Sequence, residues 1–189
     1  MLTTHRLTMR RWKDSDLEPF AALNADPIVM KHFPKVSTLE ETKGMIERIE
    51  ARFEKNSFGL WAVELTSTKE FIGFVGLQRP SFDAHFTPCV EIGWRLAKEF
   101  WGKGYAPEAA RVALKYGFET AGLDQIVSMT TTTNINSITV MKKIGMKTNP
   151  DENFPHPLLE DGHPLQLHVL YRLSKNEWLE HQQQQQANR

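Results

Sequence analysis

One cysteine, Cys89, stands among 189 residues. An internal disulfide is therefore excluded, and a reducing compartment suits the chain. Net charge is also missing: 23 Lys and Arg balance 23 Asp and Glu. A protein that grips a nucleic-acid backbone is expected to carry a basic surplus, so no nucleic-acid partner is expected. No apolar run follows Met1, and none elsewhere reaches the length needed to span a bilayer. The expectation is a cytoplasmic protein with no membrane partner. His156, His163 and His168 lack the His-x-x-x-His or HExxH spacing of a metal site, so no metal is expected. Internal repeats are absent. Hydrophobic residues make up 40% and charged residues 24%, an ordinary globular composition that suits one domain.

The pattern of elements gives an α/β chain. Leu7 and Met9 share a strand face, and Ser15-x-x-Glu18 offers a capping box for a helix ending near Asn24. Ser37 or Thr38 opens a helix whose apolar face is Met45, Ile46, Ile49 and Phe53. Strands are expected over 59–65, 71–78, 89–96, 125–130 and 165–173, with helices over 105–120 and 134–144. This order implies a mixed sheet covered by helices on both faces. Residues 151–164 read as a proline-rich loop, long enough to face a substrate. Residues 176–189, with five consecutive glutamines, read as a frayed polar tail outside a domain of residues 1–175.

The most informative stretch is Trp101-Gly102-Lys103-Gly104-Tyr105-Ala106-Pro107-Glu108. Two glycines leave the backbone bare ahead of a helix whose first N–H groups have no partners within it. The positive end of the helix dipole adds to them, so residues 102–106 can seat a pyrophosphate on backbone donors, with Lys103 as a solvated countercharge. A Walker loop needs Lys-Ser/Thr after its last glycine, and Tyr105 stands there. A dinucleotide turn needs a third glycine, and Pro107 stands there. The plainer alternative is a tight strand-to-helix corner.

This run resembles the acetyl-CoA loop of the GNAT N-acetyltransferases, in the RimJ/RimL-type branch. The family's Gln/Arg-x-x-Gly-x-Gly/Ala falls on Trp101, Gly104 and Ala106, and Trp101 departs from the polar first position. Asn134-Ile135-Asn136-Ser137, continuing to Gly145-Met146, resembles the family's Asn-x-x-Ser/Ala helix. His5-Arg6-Leu7-Thr8-Met9-Arg10 resembles its first strand. The likeness covers residues 5–174. It implies a single-domain GNAT sheet, mostly antiparallel, with central strands that splay to admit the cofactor. Trp94, Arg95 and Leu96 would then lie beside the pantetheine. Asn134 would hydrogen-bond the pantetheine arm, although an asparagine there also simply caps a helix.

The resemblance implies acetyl-CoA-dependent transfer to a primary amine in a ternary complex, the acceptor being a protein N-terminus or a small molecule and the protein a monomer or homodimer. An amine of pKa about 10 must lose a proton before it attacks a thioester. The likeness places Glu91 near the acceptor as the base; the alternatives are a rim carboxylate or a charge partner for Arg95. The tyrosine acid of many relatives is replaced by Met141, so Ser137 becomes the candidate donor to the leaving thiolate, with Tyr171 as a competitor. His85 and His156 are candidates for the acceptor groove. Cys89 lacks an activating partner and reads as a small strand residue near the site. A CoA-binding or sensing module without turnover is the alternative function.

Overall fold

The computed structural model describes residues 1–187 and falls into two compact units, residues 1–78 with 92–113, and residues 79–91 with 114 onward. In the first unit, β1 (Leu2–Thr3), β2 (Leu7–Arg10), β3 (Leu60–Leu65) and β4 (Phe71–Gln78) pair antiparallel in chain order. β5 (Glu91–Leu96), which starts in the second unit and ends in the first, follows β4 in sheet order. The buried runs of β3 and β4, Leu-Trp-Ala-Val and Ile-Gly-Phe-Val-Gly-Leu, are continuous instead of alternating. That is the pattern of strands covered on both faces. Gly73 is required by the close approach of two backbones: a Cβ there would stand 2.1 Å from the Arg95 carbonyl oxygen.

α1 (Leu17–Ala25) and α2 (Leu39–Asn56) also belong to this unit. Thr38 caps α2 in a reciprocal box with Glu41, as the sequence leads one to expect. The entrance to α1 is built differently. Asp16 accepts the Lys13 N–H and two bonds from Arg10, which also binds the buried Glu64. Arg10 thus satisfies two carboxylates that would otherwise be costly to bury. Phe20 is fully buried among Trp12, Phe71 and Phe74. α3 (Tyr105–Lys115) starts in this unit and continues as a π-helical segment, Tyr116–Thr120, in the second.

In the second unit, β6 (Gln125–Thr131) pairs antiparallel with β9 (Leu167–Ser174) along its whole length, from Gln125↔Ser174 to Thr131↔His168. Glu91 lies parallel to Val127. Two short strands also pair with β9, β7 (Lys147–Thr148) and β8 (Phe154–Pro155). The sheet is therefore mixed and mostly antiparallel, in agreement with the expected fold class. The expected loop at 151–164 contains β8 at its start, because Phe154 is drawn into a core with Phe86, Val127 and Leu170.

α4 (Ile135–Lys143) precedes β7, and α5 (Lys175–Ala187) follows β9. α5 corrects the expectation of a frayed tail over its described part. Ser174 and Glu177 form a reciprocal cap, and Trp178 is buried 5.4 Å from the Phe118 ring. Glutamine is also a good helix former once a helix has started. Residues 188–189 of that tail lie outside the described residues.

Candidate active site

The glycine turn adopts the backbone that its sequence demands. Gly102 and Gly104 have φ of +73° and +81°, the left-handed region that other residues enter at a cost. No atom lies within 4 Å of the position a Cβ would take on Gly102, so that side of the turn is open. α3 begins at once with Tyr105, and Gly104 accepts the Glu108 N–H. These features fit a diphosphate: an open left-handed turn followed by a helix N-terminus. The Trp101 indole donates to the Leu96 carbonyl at 2.8 Å, so this residue fastens the turn to β5. Lys103 is exposed, and Ala106, like Tyr105, is half-buried in the first turn of α3.

A residue with no local sequence signal holds the turn in place. Arg6 donates to the Lys103 carbonyl at 3.0 Å and to Glu108 at 2.7 Å, and its guanidinium lies 4.5 Å from the Tyr105 ring centre. Thr4 binds the same carboxylate, and Glu108 is held below its ordinary pKa in spite of desolvation by its bonds to Thr4 and Arg6. A negative charge in the first turn of α3 would oppose a phosphate; Arg6 neutralises it. Arg6 and Glu108 lie 102 positions apart, which is why no spacing rule finds them.

On β5, Trp94 is half-buried and Leu96 is buried. The Arg95 side chain is engaged by its own unit: it donates to Asn24 Oδ1 at 2.7 Å and stacks 4.2 Å from the Phe33 ring centre. Among the described residues it pairs with no carboxylate, so a charge pair with Glu91 is not its role. Asn24 is itself fully buried and donates to Thr42.

In the second unit, Asn134 caps α4 by accepting the Ser137 N–H at 3.3 Å. Its amide also donates to Thr130 Oγ1 at 3.0 Å and to Ser137 Oγ at 3.1 Å. Both amide donors are thus used, and what remains for a ligand is the second lone pair of Oδ1. Ser137 accepts from Asn134, which leaves its own O–H to donate elsewhere. Met141 is buried within α4 and supplies no proton. Tyr171 is buried, and burial raises its pKa, so it stays protonated.

Glu91 is half-buried at the head of β5. Burial, with the Glu91 charge second, pushes the Cys89 thiol up to about 11, so the thiol stays neutral and unsuited to nucleophilic attack. Beyond Cys89 lies an aromatic cluster. His156 stacks on Phe82 at 4.6 Å and on His168 at 4.8 Å, and His168 lies 5.7 Å from Phe154. Burial lowers both histidine pKa values, that of His156 to about 4. His168 Nδ1 lies 3.1 Å from the Gln166 carbonyl, which can only accept, so Nδ1 carries the hydrogen and Nε2 the lone pair. His85 instead lies beside Glu152, which binds Arg172. Among the described residues no group of three or more His, Cys, Asp or Glu could hold a metal, and no helix is long and apolar enough to cross a membrane.

A family model described as an acetyltransferase (GNAT) domain matches residues 6–147. The chain belongs to the GNAT acetyltransferase family. It is 30% identical over 178 residues to an uncharacterized N-acetyltransferase, YnaD, of Bacillus subtilis, covering 94% of this chain and 98% of that one. It is 32% identical over 146 residues to an uncharacterized protein, YkkB, of the same organism, covering 77% and 84%. Among solved structures, a GNAT-family acetyltransferase from Bacillus anthracis superposes with a TM-score of 0.77 at 27% identity, over 93% of this chain and 98% of that one. At 20% identity the fold alone is shared with a spermidine N-acetyltransferase from Vibrio cholerae, TM-score 0.72, covering 93% and 99%. The same holds for a ribosomal-protein-S5-alanine acetyltransferase from Vibrio fischeri, TM-score 0.70, also at 20% identity, covering 93% and 97%. The GNAT enzyme is thus an acyltransferase that uses acetyl-CoA.

Proposed function

We propose that this enzyme is a RimJ/RimL-type N-acetyltransferase, acting in the cytoplasm, that moves the acetyl group of acetyl-CoA directly to a primary amine. The observation that carries the reading is the pair of left-handed glycines, Gly102 and Gly104, set against the start of α3. There residues 102–106 receive the diphosphate of acetyl-CoA on backbone N–H groups, and the backbone of residues 94–96 receives its pantetheine amides. Asn134 accepts from the pantetheine arm through the free lone pair of Oδ1. Glu91 takes a proton from the ammonium of the acceptor, the amine attacks the thioester carbonyl, the nitrogen of the adduct gives its second proton to solvent, and the departing thiolate is met by the Ser137 O–H until solvent protonates it. A serine is a poor acid, so Ser137 acts by hydrogen bonding. The acceptor is a small-molecule amine or a protein N-terminus.

The test is thiol release from acetyl-CoA across a panel of amines, measured against pH. Glu91→Gln is expected to keep acetyl-CoA affinity and to lose about 100-fold in turnover at neutral pH, within the usual range for a removed general base. The loss should shrink as the pH approaches the pKa of the acceptor amine, which then deprotonates unaided. Ser137→Ala should slow turnover without altering that pH recovery. A Glu91→Gln enzyme with the wild-type pH profile would remove Glu91 from the base role.

A further inference from the structure

In the first unit several accessible cations have carboxylate partners: Arg6 with Glu108, Arg11 with Glu50 and Glu54, Lys98 with Asp26. Arg95 is the opposite case. Solvent touches the residue as a whole, yet its guanidinium is enclosed enough that desolvation alone draws the pKa down to about 10, so it remains a cation at neutral pH. Its Nη1 donates to Asn24 Oδ1, and aromatic faces of Phe33 and Phe74 lie 4.2 and 5.4 Å from its carbon. Nε is buried without a hydrogen-bond partner, and among the described residues Nη2 has none either.

The unpaired edge has a specific chemistry. Nε and Nη2 point their N–H bonds side by side, the fork that takes both oxygens of a carboxylate in two parallel bonds. A desolvated cation left without an anion is costly to the fold. A single neutral amide and two ring faces return only part of the lost hydration. Phe33 lies over the guanidinium from the segment between α1 and α2 and is 39% exposed. The adjoining His32 also keeps a buried Nδ1 without a partner, and burial lowers the pKa of this ring.

We propose that the Nε–Nη2 edge of Arg95 is a carboxylate site for the acceptor, and that the preferred acceptors are amines bearing a carboxylate, as free amino acids do. The proposal rests on the acetyl-transfer reading and names the substrate class for it. Asn24, braced by Thr42, sets the plane of the guanidinium, while Phe33 moves aside as the carboxylate enters. Among the described residues no acidic side chain pairs with that edge.

The test compares matched probes: methionine with methioninamide, phenylalanine with phenylalaninamide, 4-aminobutyrate with 4-aminobutanamide, and spermidine as an amine without a carboxylate. The wild-type enzyme is expected to acetylate the acids with kcat/KM about 10- to 100-fold above their amides, the size of a charge-assisted pair. Arg95→Gln should erase that ratio by slowing the acids about 10- to 100-fold more than their amides, and Arg95→Lys should keep part of it. The Tm of Arg95→Gln should not fall. Amides or spermidine acetylated as well as the acids, or an equal loss on both members of each pair, would overturn the proposal and leave Arg95 as a brace for Asn24 and Phe33. If no amine is acetylated, the transfer reading fails, and the site is read by Tm in the presence of CoA and N-acetylated amino acids or their amides. A Tm rise of a few degrees with the acids, absent with the amides and in Arg95→Gln, would uphold the carboxylate site. No difference between acids and amides would overturn it.

Discussion

The turn at residues 102–106 and the cluster around His156 are built by opposite means. At the turn, the proposed function resides in the backbone: two residues without side chains take left-handed φ, and a helix begins. Around His156, the structure resides in side chains: the rings of Phe82, Phe86, Phe154, His156 and His168 meet, tilted or edge-on, at centre distances between 4.6 and 6.3 Å. A backbone site should tolerate changes to its side chains and fail when its glycines change. A side-chain site should behave in the reverse way, and each substitution below is chosen to break or sharpen that contrast.

The largest effect belongs to the aromatic cluster. Phe154→Ala deletes a buried ring that packs 4.8 Å from Phe86. It should cost about 3–5 kcal/mol in urea unfolding. A loss under about 1 kcal/mol would mean the cluster is loosely packed. Next comes a pH effect. His156 has a folded pKa of about 4, against 6.5 when unperturbed. Between those values the unfolded chain binds a proton that the folded chain does not. Stability from this group is therefore complete above pH 6.5 and is lost as the pH falls toward 4, with His168 shifting in the same direction. His156→Phe should flatten the fall of Tm between pH 6.5 and 4; an unchanged slope would assign it to other groups.

Asn134→Ala is expected to cost about 1 kcal/mol of stability as a lost cap, together with a further loss of acetyl-CoA affinity. Lost stability with unchanged affinity would confine Asn134 to capping. The smallest effect is expected for Lys103→Ala, since the residue is exposed. Acetyl-CoA affinity should change by less than about threefold and the difference should fade with salt. A tenfold loss would mean that the turn depends on a side chain after all.

The same contrast explains how much was legible in the sequence. Gly102, Gly104, Pro107 and Asn134 each announce a local backbone event, and the turn and the α4 cap stand where those residues place them. The alternating or continuous apolar runs of β3, β4 and β6 likewise set their own limits to within a residue or two. Contacts between distant positions leave no such mark. Arg6 clamps Lys103 and Glu108 from about a hundred positions away, and Arg95 finds Asn24 from 71. Phe154 reads as loop because prolines surround it, and tertiary packing makes it β8. The end of the chain failed for a more local reason: glutamines read as a solvated tail, while the Ser174-x-x-Glu177 cap and the Trp178 anchor make them helical.

The central claim is that acetyl-CoA is held by the backbone of residues 102–106, and calorimetry of the Gly104→Asp protein tests it most directly. The φ of +81° at this position imposes about 1–2 kcal/mol of strain on any side chain, and an aspartate also sets a negative charge against the diphosphate. The account predicts acetyl-CoA binding at least about 100-fold weaker than wild type, as the loss of several charge-assisted bonds requires, in a protein whose circular dichroism remains native. Wild-type affinity in that folded variant would contradict it.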